Sequence, residues 1–256
     1  MDENPLLYDI ENHVARLTIN REKQRNSLTP RVISLFMECL DQAQADDAVR
    51  AVLITGAGDK AFCSGADLGG AATEDGKSSF QSYADLLKRL AAYPKPTVAR
   101  INGYCLAGGM GFMMACDIVV ARETAKFGTP EVNVGLFPMM IGALIFRNVL
   151  RKRAMEMVLL GEKLTASEAR DMGLITRVVP FEKLDEAVDD ILASLVAKSP
   201  IGLRLGKEAF YRMADMPFEK AVDYLCGKLA DVVSTGDAVE GITAFMEKRK
   251  PVFVGR

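Results

Sequence analysis

The stretch VARINGYCLAGGMGFMMACDIVVA, residues 98–121, decides how the chain is read. It passes from an apolar run of strand length into Ala107, Gly108 and Gly109, then into a helix-like run of Met, Phe and Ala. Glycine in or beside a helix costs about 1 kcal/mol relative to alanine. A helix that begins on glycines therefore implies that something approaches its backbone closely.

Working outward, PLLYDI and VARLTIN read as two strands joined at ENH. SLTPRVISLFMECLDQAQAD starts a helix with hydroxyl residues and Pro30 in the first turn. AVLITG (51–56) is a continuous apolar strand, and SSFQSYADLLKRLAAYP is a helix that stops before Pro94. PTVARING is the next strand, MGFMMA a short helix, and DIVVA and AKFGT are strands again. From residue 140 the pattern is almost wholly helical, apart from the strand GLITRVVP after a helix that Thr165 opens with the capping box TASE. Alternation followed by helices predicts an α/β core with a helical C-terminal region.

The 256 residues suit one large domain, 49% of them hydrophobic and 26% charged. No uncharged apolar stretch is long enough for a membrane span, and MDENPLLYDIENH lacks a signal pattern, so the expected location is cytoplasmic with no membrane partner. A net charge of −2 with interspersed signs argues against nucleic acid as a partner. The single histidine, His13, sits at a turn and reads as a solvated surface group, which leaves zinc sites and Ser-His triads little to build from. The five cysteines are scattered without metal-ligand spacing and read as reduced core residues.

AVLITGAGDKA spells a dinucleotide-binding turn, but DKAFCSGAD does not continue as the amphipathic helix that turn requires. Neither Cys63 nor Ser64 has a histidine base nearby in sequence. Two strand-to-glycine turns are left, AFCSGADL (61–68) and LAGGMG (106–111). On neighbouring parallel strands, their N–H groups would converge on one point and suit a carbonyl oxygen that gains negative charge. By pattern alone, packing turns explain them as well.

LTINREKQRNSLT, AFCSGADL, INGYCLAGGMGFMMACDIVVA, FGTPEVNVGLFP, LLGEKLTASEARDMGLITRVVP and EKRKPVF stand in the order seen in the crotonase, or enoyl-CoA hydratase/isomerase, superfamily, which the chain resembles over nearly its whole length. The resemblance implies a crotonase-like spiral of ββα repeats, with an acyl-CoA-binding core at 1–196 and a helical trimerisation region at 197–256. It implies an acyl-CoA substrate, no cofactor beyond the coenzyme A that the substrate carries, no metal, and a homotrimer or homohexamer. The backbone N–H groups of Ala66 and Gly108 would hold the thioester oxygen, with Glu131 as the catalytic base. Substrate contacts would come from Arg25, Asn26, Ala66, Asp67, Leu68, Gly109, Gly111, Pro130, Phe137 and Met139, with Lys248 or Lys250 near the phosphates.

Two positions depart from that pattern. Hydratases of the family share the added water between two glutamates, and the first would fall at Gly111. Where some relatives carry an aspartate, this chain has Met139. One carboxylate can take a proton from one carbon and return it to another, so double-bond isomerisation is favoured. Hydration through Glu131 and a second group, with Glu123, Asp67 and Asp75 open, is the alternative. So is a CoA-binding member without chemistry. Met110, Met113, Phe137, Met139 and Met140 are expected to line an apolar acyl pocket.

Overall fold

The computed structural model describes residues 4–65 and 78–256. Strands β1 (Leu6–Glu11) and β2 (Val14–Ile19) form an antiparallel hairpin. Its two turn residues, Asn12 and His13, both have positive φ, as a tight two-residue hairpin of this hand requires. His13 is exposed, with Nδ1 2.8 Å from the Ala48 carbonyl. Helix α1 (Pro30–Ala45) begins where expected: the Thr29 hydroxyl accepts the Val32 N–H at 3.3 Å and Pro30 occupies the first turn.

Three passes of the chain then repeat one plan. They are β3 (Ala51–Gly56), β4 (Ala61–Cys63) and α2 (Ser79–Ala91), then β5 (Thr97–Ile101), β6 (Tyr104–Leu106) and α3 (Gly108–Met114), then β7 (Ile118–Arg122), β8 (Lys126–Gly128) and α4 (Met139–Asn148). Each pass gives its first strand to one sheet and its second to another. After α5 (Arg151–Leu160), β9 (Leu164–Thr165) and α6 (Ala166–Asp171), β10 (Arg177–Val179) completes the first sheet. The orders are β1-β2-β3-β5-β7-β10, parallel from β2 onward, and β4-β6-β8-β9. The capping box at α6 forms: Thr165 and Glu168 exchange hydrogen bonds at 2.7 and 3.2 Å.

The long sheet is covered on both faces, which is why its strands read as unbroken apolar runs. One face packs on the core that contains Phe36, Phe62 and Phe112. The other packs Val14, Ala51, Leu53, Val98 and Val120 against Leu184, Val188, Ile191 and Leu192 of α7 (Leu184–Val196).

The chain ends in α8 (Pro200–Met213), α9 (Phe218–Val233) and α10 (Gly236–Met246). The tail returns to the buried Asp237, whose carboxylate accepts the Val254 and Gly255 N–H groups at 2.9–3.1 Å. Arg50 ties this region to β3 by donating to the Val196 and Phe253 carbonyls, both at 3.0 Å. Large apolar side chains stand exposed on α9 and α10, Phe218 at 82% and Phe245 at 84%. Cys226 shares that exposed face, which corrects the reading of all five cysteines as core; the other four are buried. No helix among the described residues is long and apolar enough to cross a membrane.

Candidate active site

The two glycine turns meet. Gly65 has φ +105°, and a Cβ there would lie 2.8 Å from the Ala107 Cβ and 3.0 Å from the Gly108 nitrogen. A Cβ on Gly109 would stand 2.4 Å from the Cys63 carbonyl oxygen, so only glycine lets α3 sit against the end of β4. Ala107 turns the chain from β6 into α3 at φ 50°, ψ −128°, a region costly for any residue with a Cβ. Gly108 is the first residue of α3, so its N–H is among those with no acceptor inside the helix. Ala66, Asp67 and Leu68, expected to give the second donor and coenzyme contacts, lie outside the described residues, as does Asp75.

Gly108 opens onto a cleft of about 730 Å³, walled by Phe80, Val134, Leu136, Phe137, Met139 and Ile141. Pro130 and Met140 line it too, while Met110 and Met113 do not: both are wholly buried core, which corrects the expectation that they line the pocket. Among the described residues, Glu131 is the single charged side chain lining the cleft. It sits on the 3-10 turn Pro130–Val134, which Gly135 closes at φ +75°. Its Oε2 is buried with no hydrogen-bond partner. Burial pushes its carboxyl above the ordinary glutamate value, more than its own backbone hydrogen bond pulls it down. Glu123 is exposed, outside the cleft.

Gly111 is buried beneath the cleft rather than lining it. A Cβ there would fall 2.3 Å from Ile141 Cγ2 and 2.7 Å from the Tyr83 hydroxyl, so the space for a side chain at 111 is already filled. Sequence reasoning missed Tyr83. Its hydroxyl donates to the Gly108 carbonyl, and the ring lines the cleft beside Glu131. The available signal was a polar-tipped aromatic on the buried face of α2, with Leu86, Leu87 and Leu90.

Arg25, Lys60, Arg122 and Lys163 line a second cleft of about 510 Å³, which shares Ser64 with the first. Arg25 is thus at a surface where its charge is usable, and its carbonyl accepts the Ser64 N–H at 3.1 Å. Asn26 is wholly buried and lines neither cleft. Its amide donates to the Ala57 and Ala61 carbonyls at 3.0 and 2.7 Å and its oxygen accepts the Arg21 N–H at 3.0 Å, so its side chain holds the loop that presents Arg25. Lys248 and Lys250 are exposed and line neither cleft. Burial pushes the Cys63 thiol up to about 12, which keeps it protonated and non-nucleophilic near neutral pH.

Residues 9–256 match the family model described as enoyl-CoA hydratase/isomerase. The chain is 32% identical to 2,3-dehydroadipyl-CoA hydratase of Escherichia coli, over 98% of this chain and 99% of that one. It is 34% identical to 1,2-epoxyphenylacetyl-CoA isomerase of the same organism, over 98% of each chain. The crystal structure of an enoyl-CoA hydratase from Mycobacterium smegmatis superposes with a TM-score of 0.92 at 34% identity, covering 98% of this chain and 99% of that one. With the paired glycine turns and the ββα passes of the fold, these matches make the chain a member of the enoyl-CoA hydratase/isomerase family, in the crotonase superfamily.

Proposed function

We propose that this enzyme moves a double bond in an acyl-CoA thioester, with Glu131 as the proton-shuttling base and the N–H of Gly108 holding the thioester oxygen as the enolate forms. One observation carries the reading: Glu131 is the sole carboxylate of the cleft among the described residues, and its buried Oε2 has no partner. A carboxylate whose burial outweighs its hydrogen bonding is a stronger base, as removal of a proton beside a thioester demands. Backbone donors suit the other half of the reaction, because they are fixed before charge reaches the oxygen.

The neighbouring cationic cleft supports the same assignment. Arg25, Lys60, Arg122 and Lys163 suit the phosphates of coenzyme A, and the apolar wall from Phe80 to Ile141 suits a hydrocarbon acyl group. Ala66 is the proposed second oxyanion donor, and Asp67 and Leu68 the proposed coenzyme contacts beside it. No cofactor is needed for a proton transfer of this kind. We further propose that the enzyme works in the cytoplasm as a trimer or a pair of trimers, with residues 197–256 as the assembling region. The exposed apolar side chains of α9 and α10 support this, and a monomer by light scattering at micromolar concentration would contradict it.

Glu131→Gln tests the base. The amide keeps the shape but cannot take a proton, so isomerisation of a 3-enoyl-CoA should fall by about 10²–10⁴ with acyl-CoA binding retained. A folded variant that keeps more than a tenth of native activity would overturn the assignment.

A further inference from the structure

The activity proposed above gives Tyr83 no role, although it touches two parts of the site at once. It lies on α2, 3% exposed, in the wall of the Glu131 cleft. Its hydroxyl donates to the Gly108 carbonyl and faces position 111, close enough to leave no room for a Cβ there. Burial, the neighbouring Cys63 and Cys105 thiols and the Glu131 carboxylate hold the phenol well above its ordinary range. It is therefore a neutral, permanent donor.

The Gly108 peptide needs such an anchor. Glycine is the residue least able to fix its own φ and ψ. Here it opens a helix of seven residues that has no side-chain cap and follows the strained Ala107. Within that start, the peptide plane that carries the Gly108 N–H is held at its other end, where the Ala107 carbonyl accepts the Met110 N–H at 2.9 Å. The Gly108 carbonyl belongs to the next plane, and a hydrogen bond there, from a separate helix packed in the core, limits rotation about the two Gly108 bonds that join the planes.

We propose that Tyr83 is a positioning residue: by holding the Gly108 carbonyl, its hydroxyl fixes the aim of the Gly108 N–H at the thioester oxygen. This rests on the oxyanion role given to Gly108, and acts through the two peptide planes that Gly108 joins rather than by touching the reacting atoms.

Butyryl-CoA labelled with carbon-13 at the thioester carbonyl has no double bond to move, so its carbonyl stretch reports hydrogen bonding in a stable complex. Bound to the native enzyme, the band should lie below its position in water. In Tyr83→Phe it should move back toward the free value, at similar affinity. With 3-hexenoyl-CoA, kcat should fall about 10- to 100-fold while KM changes less than about threefold, a smaller loss than deleting an oxyanion donor outright. Leu86→Ala loosens the core packing of α2 but leaves the hydroxyl in place and lines neither cleft, and should keep the native band. An unshifted band and a kcat within twofold in Tyr83→Phe would overturn the positioning role. So would an equal band shift in Leu86→Ala. A native complex with no lowered band would remove the oxyanion reading itself, and the role of Tyr83 with it.

Discussion

Replacing Gly111 with alanine sets two effects against each other. Within a helix the change gains about 1 kcal/mol of propensity. Against that, the new Cβ would stand 2.3 Å from Ile141 Cγ2, 2.7 Å from the Tyr83 hydroxyl and 3.1 Å from Ile141 Cβ. Real Cβ contacts do not come that close, so α3 and α4 must move apart or side chains must leave their rotamers. Overpacking of this kind costs about 1–3 kcal/mol. Taking about 2 kcal/mol for the clash, Gly111→Ala should destabilise by about 1 kcal/mol. The nearest of those contacts belongs to Ile141, so Ile141→Ala should relieve most of the clash while adding its own cavity cost. A double-mutant cycle by urea unfolding should therefore show about 1–2 kcal/mol of favourable coupling between the two changes. Stabilisation by the full helix propensity in Gly111→Ala, or additivity in the cycle, would refute the packing argument. The same crowding predicts that Gly111→Glu does not make a hydratase, because the carboxylate has no space in which to reach the cleft.

Three further outcomes follow from the site. Ala107→Gly removes a Cβ from a conformation at φ 50°, ψ −128°, and should raise stability by about 0.5–2 kcal/mol, read as a higher urea midpoint with unchanged slope. Gly108→Pro deletes the N–H at the proposed oxyanion position and should cost about 10²–10³ in rate; a folded variant with near-native activity would contradict the role. Glu131 links pH to both rate and stability. Its carboxyl titrates above the ordinary 4.5 when folded, so the folded protein holds that proton more tightly than the unfolded chain, and stability falls as pH rises through that window. Glu131→Gln should thus melt higher than native near neutral pH, with the gain fading below about pH 4.5, and the native rate should rise along a limb displaced upward from that value. An equal Tm offset at all pH values would argue against the shift.

Much of the fold was legible because strand runs, caps and glycine turns are local signals. AVLITG reads as a buried strand because both faces of β3 are covered, and TASE reads as a helix start because its hydrogen bonds form within three residues. The near meeting of the two glycine turns was inferred from parallel strands, and Gly65 and Gly108 do lie in contact. What could not be read depends on contacts between distant segments. Asn26 follows Arg25 in sequence but points inward, because Ala57 and Ala61 need its donors. Met110 and Met113 face the core while Phe137 and Met139 face the cleft, a choice set by how α3 packs rather than by residue type. Tyr83 was hidden because its partner, Gly108, is 25 positions away.

The central claim is that Glu131 alone moves protons and that the cleft is not arranged to add water. In deuterated buffer, one protein batch can be given 3-hexenoyl-CoA and crotonyl-CoA, and the products resolved by mass spectrometry. The account predicts that 3-hexenoyl-CoA becomes 2-hexenoyl-CoA, and that this conversion far outpaces the appearance of 3-hydroxybutyryl-CoA from crotonyl-CoA. Both should be lost in Glu131→Gln. Hydration of crotonyl-CoA as fast as isomerisation, or faster, would contradict the account and require a second group that holds the water.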